Sequence, residues 1–148
     1  MKFVLDTNVY FAILHEGSYF ARHRETLQRI GPRTYLSSVV RFELLQGARG
    51  DLGRARVRRA TRTLERTGRV VAPTHADWDT SGALQGRIWD EHPSLRTKSL
   101  QNDLLLACSA RRIGAAVVTE NLSDFRLIGR QLPHRACSMA MLAVELQA

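Results

Sequence analysis

The feature that most restricts the fold is a pair of short, wholly apolar runs, Phe3-Val4-Leu5 and Ala115-Ala116-Val117-Val118, that stop at Asp6 and Thr119. A strand with one wet face alternates apolar and polar residues, whereas an unbroken run belongs to a strand covered on both faces in a parallel sheet. Helical patterns follow each run. After Asp6 come Val9, Tyr10, Ile13 and Leu14, with Thr7 or Asn8 as the expected cap; after Thr119 a short helix is predicted around 122–128. Strands alternating with helices predict an α/β fold, a short parallel sheet flanked by helices on both faces. In such sheets ligands bind beyond the carboxyl ends of the strands, and Asp6 lies at such an end.

The intervening chain fits the same plan. Ser18 to Ile30 reads as an exposed helix ended by Gly31-Pro32, and Thr34-Tyr35-Leu36 as a strand. Ser37 or Ser38 then caps a helix through Arg49 with Phe42, Leu45 and Ala48 on its apolar side. A further helix spans 51–67, a short strand covers Val70-Val71-Ala72, and Thr74 caps a helix to about Trp89 that Pro93 closes. Leu95 to Gln101 is a basic loop, Ser99 or Asn102 caps the next helix, and a last strand lies near Arg135-Ala136-Cys137. No repeat, linker or low-complexity tract divides the chain, so one domain over residues 1–148 is expected.

Charge is unevenly spread. The net charge is +8, and the basic residues are twenty Arg and two Lys. Thirteen basic and four acidic residues lie between Arg22 and Arg69, while Val70 to Ala148 holds eight of each. Arg54, Arg58, Arg62 and Arg66 recur every fourth residue, which lines four guanidinium groups along one helix face. Such a face suits a nucleic-acid backbone or an acidic protein segment, and a merely solvated basic surface is its plain rival. The apolar runs are too short to span a membrane, and the charged start argues against a secretory leader. Cys108 and Cys137 lack metal-site spacing and fit reduced thiols in a cytoplasmic protein.

Four polar stations stand at strand-to-helix junctions: Asp6 with Asn8; Glu43; Asp103; and Thr119 with Asn121 and Asp124. Each has an ordinary explanation alone. Glu43 can be a surface residue, Asp103 can answer a helix dipole, and Asp124 can cap a short helix. Should they converge, their carboxylates repel and require either protons or a cation. No Lys or Arg lies directly beside Asp6, Asp103 or Asp124 in sequence except Arg126, two residues beyond the last. A hard divalent ion is the natural counter-charge for clustered oxygens, and it activates water and stabilises phosphoryl charge.

These stations resemble the ordered motifs of PIN-domain nucleases. The carriers are Val4-Leu5-Asp6-Thr7-Asn8, Phe42-Glu43-Leu44-Leu45-Gln46-Gly47, Asn102-Asp103-Leu104-Leu105-Leu106-Ala107 and Val117-Val118-Thr119-Glu120-Asn121-Leu122-Ser123-Asp124-Phe125. The similarity is greatest to VapC-type toxins of bacterial toxin–antitoxin pairs. The resemblance implies endonucleolytic hydrolysis of RNA phosphodiester bonds with Mg²⁺ or Mn²⁺. Asp6 and Asp103 are its main ligands, and Glu43 is a ligand or an orienter of water. Thr119 steadies the last loop and Asn8 a carboxylate. Some PIN domains carry Asp where this chain has Asn121, so the last acidic role falls on Asp124 or is partly lost. Asn121 can still coordinate through its carbonyl oxygen, and the lower charge leaves one metal or two open. The resemblance further implies a homodimer and an inhibitory antitoxin whose tail enters the acidic groove; Arg54, Arg58, Arg62 and Arg66 would contact RNA or that antitoxin.

Two other readings compete. A phosphatase with Asp6 as nucleophile would want a second carboxylate at position 8, where Asn8 stands, and a cationic partner, for which only Lys2 and Lys98 are available. A PIN-like scaffold that binds RNA or protein without cutting it is the alternative that is not an enzyme.

Overall fold

A computed structural model describes residues 1–148. Five strands form one wholly parallel sheet in the order β3-β2-β1-β4-β5. They are β1 (Lys2–Leu5), β2 (Thr34–Ser37), β3 (Val70–Val71), β4 (Ala115–Val118) and β5 (Ala136–Cys137). The helices are α1 (Thr7–His15), α2 (Gly17–Ile30), α3 (Ser38–Gly47), α4 (Gly50–Arg66), α5 (His75–Glu91), α6 (Gln101–Arg112), α7 (Leu122–Gly129) and α8 (Met139–Gln147).

The strand order fixes where a site can form. From β1 the chain steps outward to β2 and β3, then crosses back to β4 on the other side of β1. Right-handed connections running in opposite directions put helices on opposite faces and open a crevice at the reversal, between β1 and β4. These two strands pair along their length, Lys2 with Ala115 through Leu5 with Val118. Phe3 to Leu5 and Ala115 to Val118 are all buried, as their apolar runs require. The Asp6 amide then donates to the Val118 carbonyl at 2.9 Å, so pairing carries the chain up to the acid.

Helix α6 is the most deeply set helix. Every residue from Leu104 to Ala110 is buried, packed against α5 and β4. Truncating such a leucine to Ala ordinarily costs about 2–5 kcal/mol, and here it would also displace Asp103 on the first turn. Opposite, α5 begins with a capping box between Thr74 and Asp77, and Asp77 also accepts from Arg112 of α6 at 3.1 Å. Thr74 is the cap read from the sequence. Both cysteines are free and buried.

Three local expectations are corrected. The cap of α1 is Asp6 itself, which takes the Thr7 amide at 2.7 Å on an extended backbone, rather than Thr7 or Asn8. Helix α3 stops at Gly47, and its buried residues are Val39, Val40 and Leu44, while Phe42 is 61% exposed. The pair at positions 40 and 44 is one helical turn apart and faces inward, which turns Phe42 to solvent. Ser99 does accept the Gln101 amide at 3.3 Å, but the residue at the α6 cap position is Leu100, buried at 1% exposure.

Candidate active site

Asp6 is held from three directions. One carboxylate oxygen accepts the Thr7 amide at 2.7 Å, and the other accepts the Thr119 hydroxyl at 2.7 Å and the Asn8 amide at 3.2 Å. Thr119 is fully buried at the end of β4 and also accepts from the Asn121 backbone at 3.0 Å. Asn8 completes the connection by accepting the Glu120 amide at 3.1 Å. The ends of β1 and β4 are thereby locked together around one carboxylate. Burial raises the Asp6 proton affinity above the ordinary carboxylate range; the bonds from Thr119, Thr7 and Asn8 oppose it, and Asp124 adds to it.

Glu43 arrives from α3. Its carboxylate accepts the Thr7 hydroxyl at 2.9 Å, which ties the middle of α3 to the start of α1. Asp103 comes from the first turn of α6, the helix end that favours negative charge. Even so, its proton affinity is pushed up to about 7, first by burial and then by the carboxylates of Asp6, Asp124 and Glu43. Asp6, Glu43 and Asp103 line one cleft, and Asp124 stands near enough to act on Asp103 as well. Charge from four separate segments meets at Asp103, and only Lys98 acts in the opposite direction.

A cleft of about 620 Å³ opens over these groups, lined by Asp6, Asn8, Glu43, Asp103, Glu120 and Asn121 together with Phe11 and Tyr19. Asp124 is not among the lining residues. One of its oxygens accepts from Lys98 Nζ at 2.6 Å and the other from the Asn121 side-chain amide at 2.8 Å. Lys98, Glu120 and Tyr19 are site residues that the sequence reading did not assign. Tyr19 donates to Glu120 at 2.7 Å, and the pair forms one rim. Lys98 lies 26 positions from Asp124, on a loop whose course no periodic pattern reveals.

The donor set suits a hard cation. Oxygen ligands dominate, the carboxylates lack sufficient compensating charge, and Mg²⁺ typically takes only one or two protein carboxylates beside water. No three acidic, histidine or cysteine side chains are drawn together tightly enough to enclose an ion unaided. Asp6, Asp103 and Glu43 are the residues that would hold one from the cleft walls.

A second, more apolar groove of about 610 Å³ adjoins the cleft between α1, α3 and α4. It is lined by Phe11, Leu14, Leu44, Leu52 and Val57, with Arg49 and Arg56 alongside. Thr7, Phe11 and Glu43 border both spaces, so the groove leads directly to the acids.

Comparison with known proteins decides the family. Residues 3–130 match the PIN domain. The chain belongs to the PIN domain family. Among solved structures it resembles a chain of the DNA-bound VapBC of Salmonella typhimurium at 25% identity and a TM-score of 0.69, over 94% of this chain and 98% of that one. VapBC-1 of nontypeable Haemophilus influenzae gives 23% identity and 0.64, over 95% and 99%. VapBC2 of Rickettsia felis, bound to a promoter DNA fragment, gives 20% and 0.64, over 93% and 98%. No curated protein matches the chain. The PIN fold read from four motifs is the fold observed, and no helix is long and apolar enough to cross a membrane.

Proposed function

We propose that this PIN domain, taken as one unit over residues 1–148, is a metal-dependent endoribonuclease and the toxin of a toxin–antitoxin pair. The observation that carries the reading is the meeting of Asp6, Glu43 and Asp103 in the walls of one cleft at the switch point of the sheet. Asp6, Asp103 and Glu43 would hold Mg²⁺ or Mn²⁺ here, and the ion would supply the missing charge, phosphoryl stabilisation and activation of water. The chain's own residues prepare for it. Thr119 and Asn8 fix Asp6 in one orientation, Thr7 steadies Glu43 beside the cleft, and Asn121 lines the cleft while holding Asp124. Phe11 and Tyr19 border the acids, where unpaired RNA bases can stack.

The antitoxin belongs to the same reading. The solved VapBC complexes pair a chain of this fold with a partner, and the apolar groove beside Glu43 suits an amphipathic segment that continues into the acidic cleft. The homodimer implied by the resemblance is measured by sedimentation equilibrium.

Purified protein should cleave single-stranded RNA in Mg²⁺ or Mn²⁺ and stop when EDTA is added. Asp6→Asn and Asp103→Asn should each lower the rate at least a hundredfold, the upper end of what loss of a mere supporting residue costs. Retained RNA binding without cleavage in either metal would instead identify a scaffold. Hydrolysis of a small phosphomonoester but not RNA would identify a phosphatase. For the toxin role, expression should arrest growth, and co-expression of an adjoining small reading frame should restore it.

A further inference from the structure

We propose that Lys98 is a resident cation beside the cleft, its ammonium already occupying the Asp124 oxygen that a second divalent ion would need, so that the site holds one such ion. The inference rests on the metal-dependent reading above and concerns how many ions the site accepts.

Three observations lead to it. Both oxygens of Asp124 are already engaged, one by Lys98 Nζ at 2.6 Å and one by Asn121 at 2.8 Å. The Asp124 side chain is 10% exposed and that of Lys98 51%, and both act on the charge of Asp103 at the cleft wall. An ion reaching either oxygen of Asp124 would have to displace Lys98 or Asn121.

The segment that presents Lys98 is built to keep it there. Its carbonyl accepts from Trp89 Nε1 at 3.2 Å, and its amide donates to the Leu95 carbonyl at 2.9 Å. Two residues on, the Leu100 amide donates to Gln85 Oε1 at 2.6 Å, and Arg96 pairs with Asp90 at 3.2 Å. Three side chains of α5 thus anchor a stretch that carries no secondary structure of its own. A long, rotamer-rich lysine loses considerable entropy when ordered, and fixing the backbone on either side lowers what must be ordered at the contact.

The chemistry matches Asn121. A neutral residue there removes one carboxylate from the last motif, and Lys98 neutralises the next. Asp6, Glu43 and Asp103 line the cleft with no cationic side chain paired to them, enough for the one or two carboxylates that Mg²⁺ takes. Like charge between the ammonium and a divalent ion then disfavours a second occupant.

The test counts ions. Mn²⁺ titration of the intact chain by calorimetry and electron paramagnetic resonance should find one ion per chain in the parent and in Lys98→Arg. Lys98→Met and Lys98→Gln should each bind two, and adding Asp124→Asn to Lys98→Met should return the count to one. Lys98 is half-exposed, and thermal melts establish that each variant is folded. Two ions in the parent, or one in both neutral variants, overturns the proposal and leaves the nuclease reading standing. A parent that binds no ion overturns both.

Discussion

Four carboxyl groups around the ends of β1 and β4 and four guanidinium groups along α4 are comparable charge clusters, yet the fold treats them in opposite ways. Asp6 and Asp124 are buried, Asp103 and Glu43 half-buried, and the hydrogen bonds of Asp6, Glu43 and Asp124 come from side chains or amides of fixed position. Arg58, Arg62 and Arg66 are exposed, and Arg54 pairs only with Asp51 of its own first turn at 2.8 Å. Water screens the helix, so its mutual repulsion is small. In the cleft, burial first and the neighbouring carboxylates second raise the proton affinity of Asp6 and Asp103. A desolvated cluster is a site that selects a cation, whereas a solvated stripe is a surface that attracts anions with little geometric demand.

Breaking the order of the cleft while keeping its charge is the most direct attack on that contrast. Thr119→Val retains the shape of a fully buried residue but removes the 2.7 Å donor to Asp6. Supporting groups of this kind ordinarily contribute 10–100-fold, and that loss is expected in both Mn²⁺ affinity and RNA cleavage. Thr119→Ser, which keeps the hydroxyl, should restore most of it. An equal loss in both variants would mean that packing at Thr119 matters and its hydrogen bond does not.

A smaller effect concerns stability without metal. Asp103 keeps its proton up to about pH 7 in the folded protein, against an ordinary value of 3.8. Because the folded value is the higher one, this group's contribution to stability is complete below about pH 4 and is lost as pH rises through 7. Asp103→Asn needs no proton, so above pH 7 in EDTA it should melt higher than the parent. The gain is about 2 kcal/mol, discounted for partial exposure from ~1.4 kcal/mol per tenfold change in proton affinity. Saturating Mg²⁺ should reverse the order by stabilising only the parent. Equal melting at pH 8 in EDTA would show that the acids do not repel one another as the geometry requires.

The sequence made the ends of β1 and β4 legible because strands covered on both faces have no polar alternation to confuse, and their runs stop where burial stops. Glu43 and Asp103 could be placed on helices from the apolar pattern around them. Their meeting could not be read, because it depends on how α3 packs against α6, elements about sixty positions apart, just as that of Asp6 with Thr119 depends on the register of Leu5 with Val118. Phe42 and the α1 cap were misplaced for a different reason. Several residues in each segment satisfy the same local rule, and tertiary packing chooses among them. Lys98 was named only as a possible cation for a phosphatase; its pairing with Asp124 could not be read because the loop that positions it is fixed by Trp89 and Gln85 of a helix, contacts without a sequence signature.

The smallest expected effect tests the other half of the comparison. If the α4 stripe meets RNA as a solvated, geometrically permissive surface, each guanidinium acts mainly by releasing a counterion from the strand. The log of the binding constant for single-stranded RNA should then fall against log salt with a slope near −0.7 for each phosphate neutralised. Replacing Arg58 and Arg62 together by Gln should flatten that slope by about 1.4 and weaken binding at low salt, with little change in the cleavage rate at saturating RNA. Arg54 should contribute less than either, because Asp51 already answers part of its charge. An unchanged slope would assign the stripe to the antitoxin or to solvent, and a large fall in the saturated rate would show that α4 orients the substrate. In that last case the basic face would demand geometry as strictly as the acidic cleft, and the contrast between the two would fail.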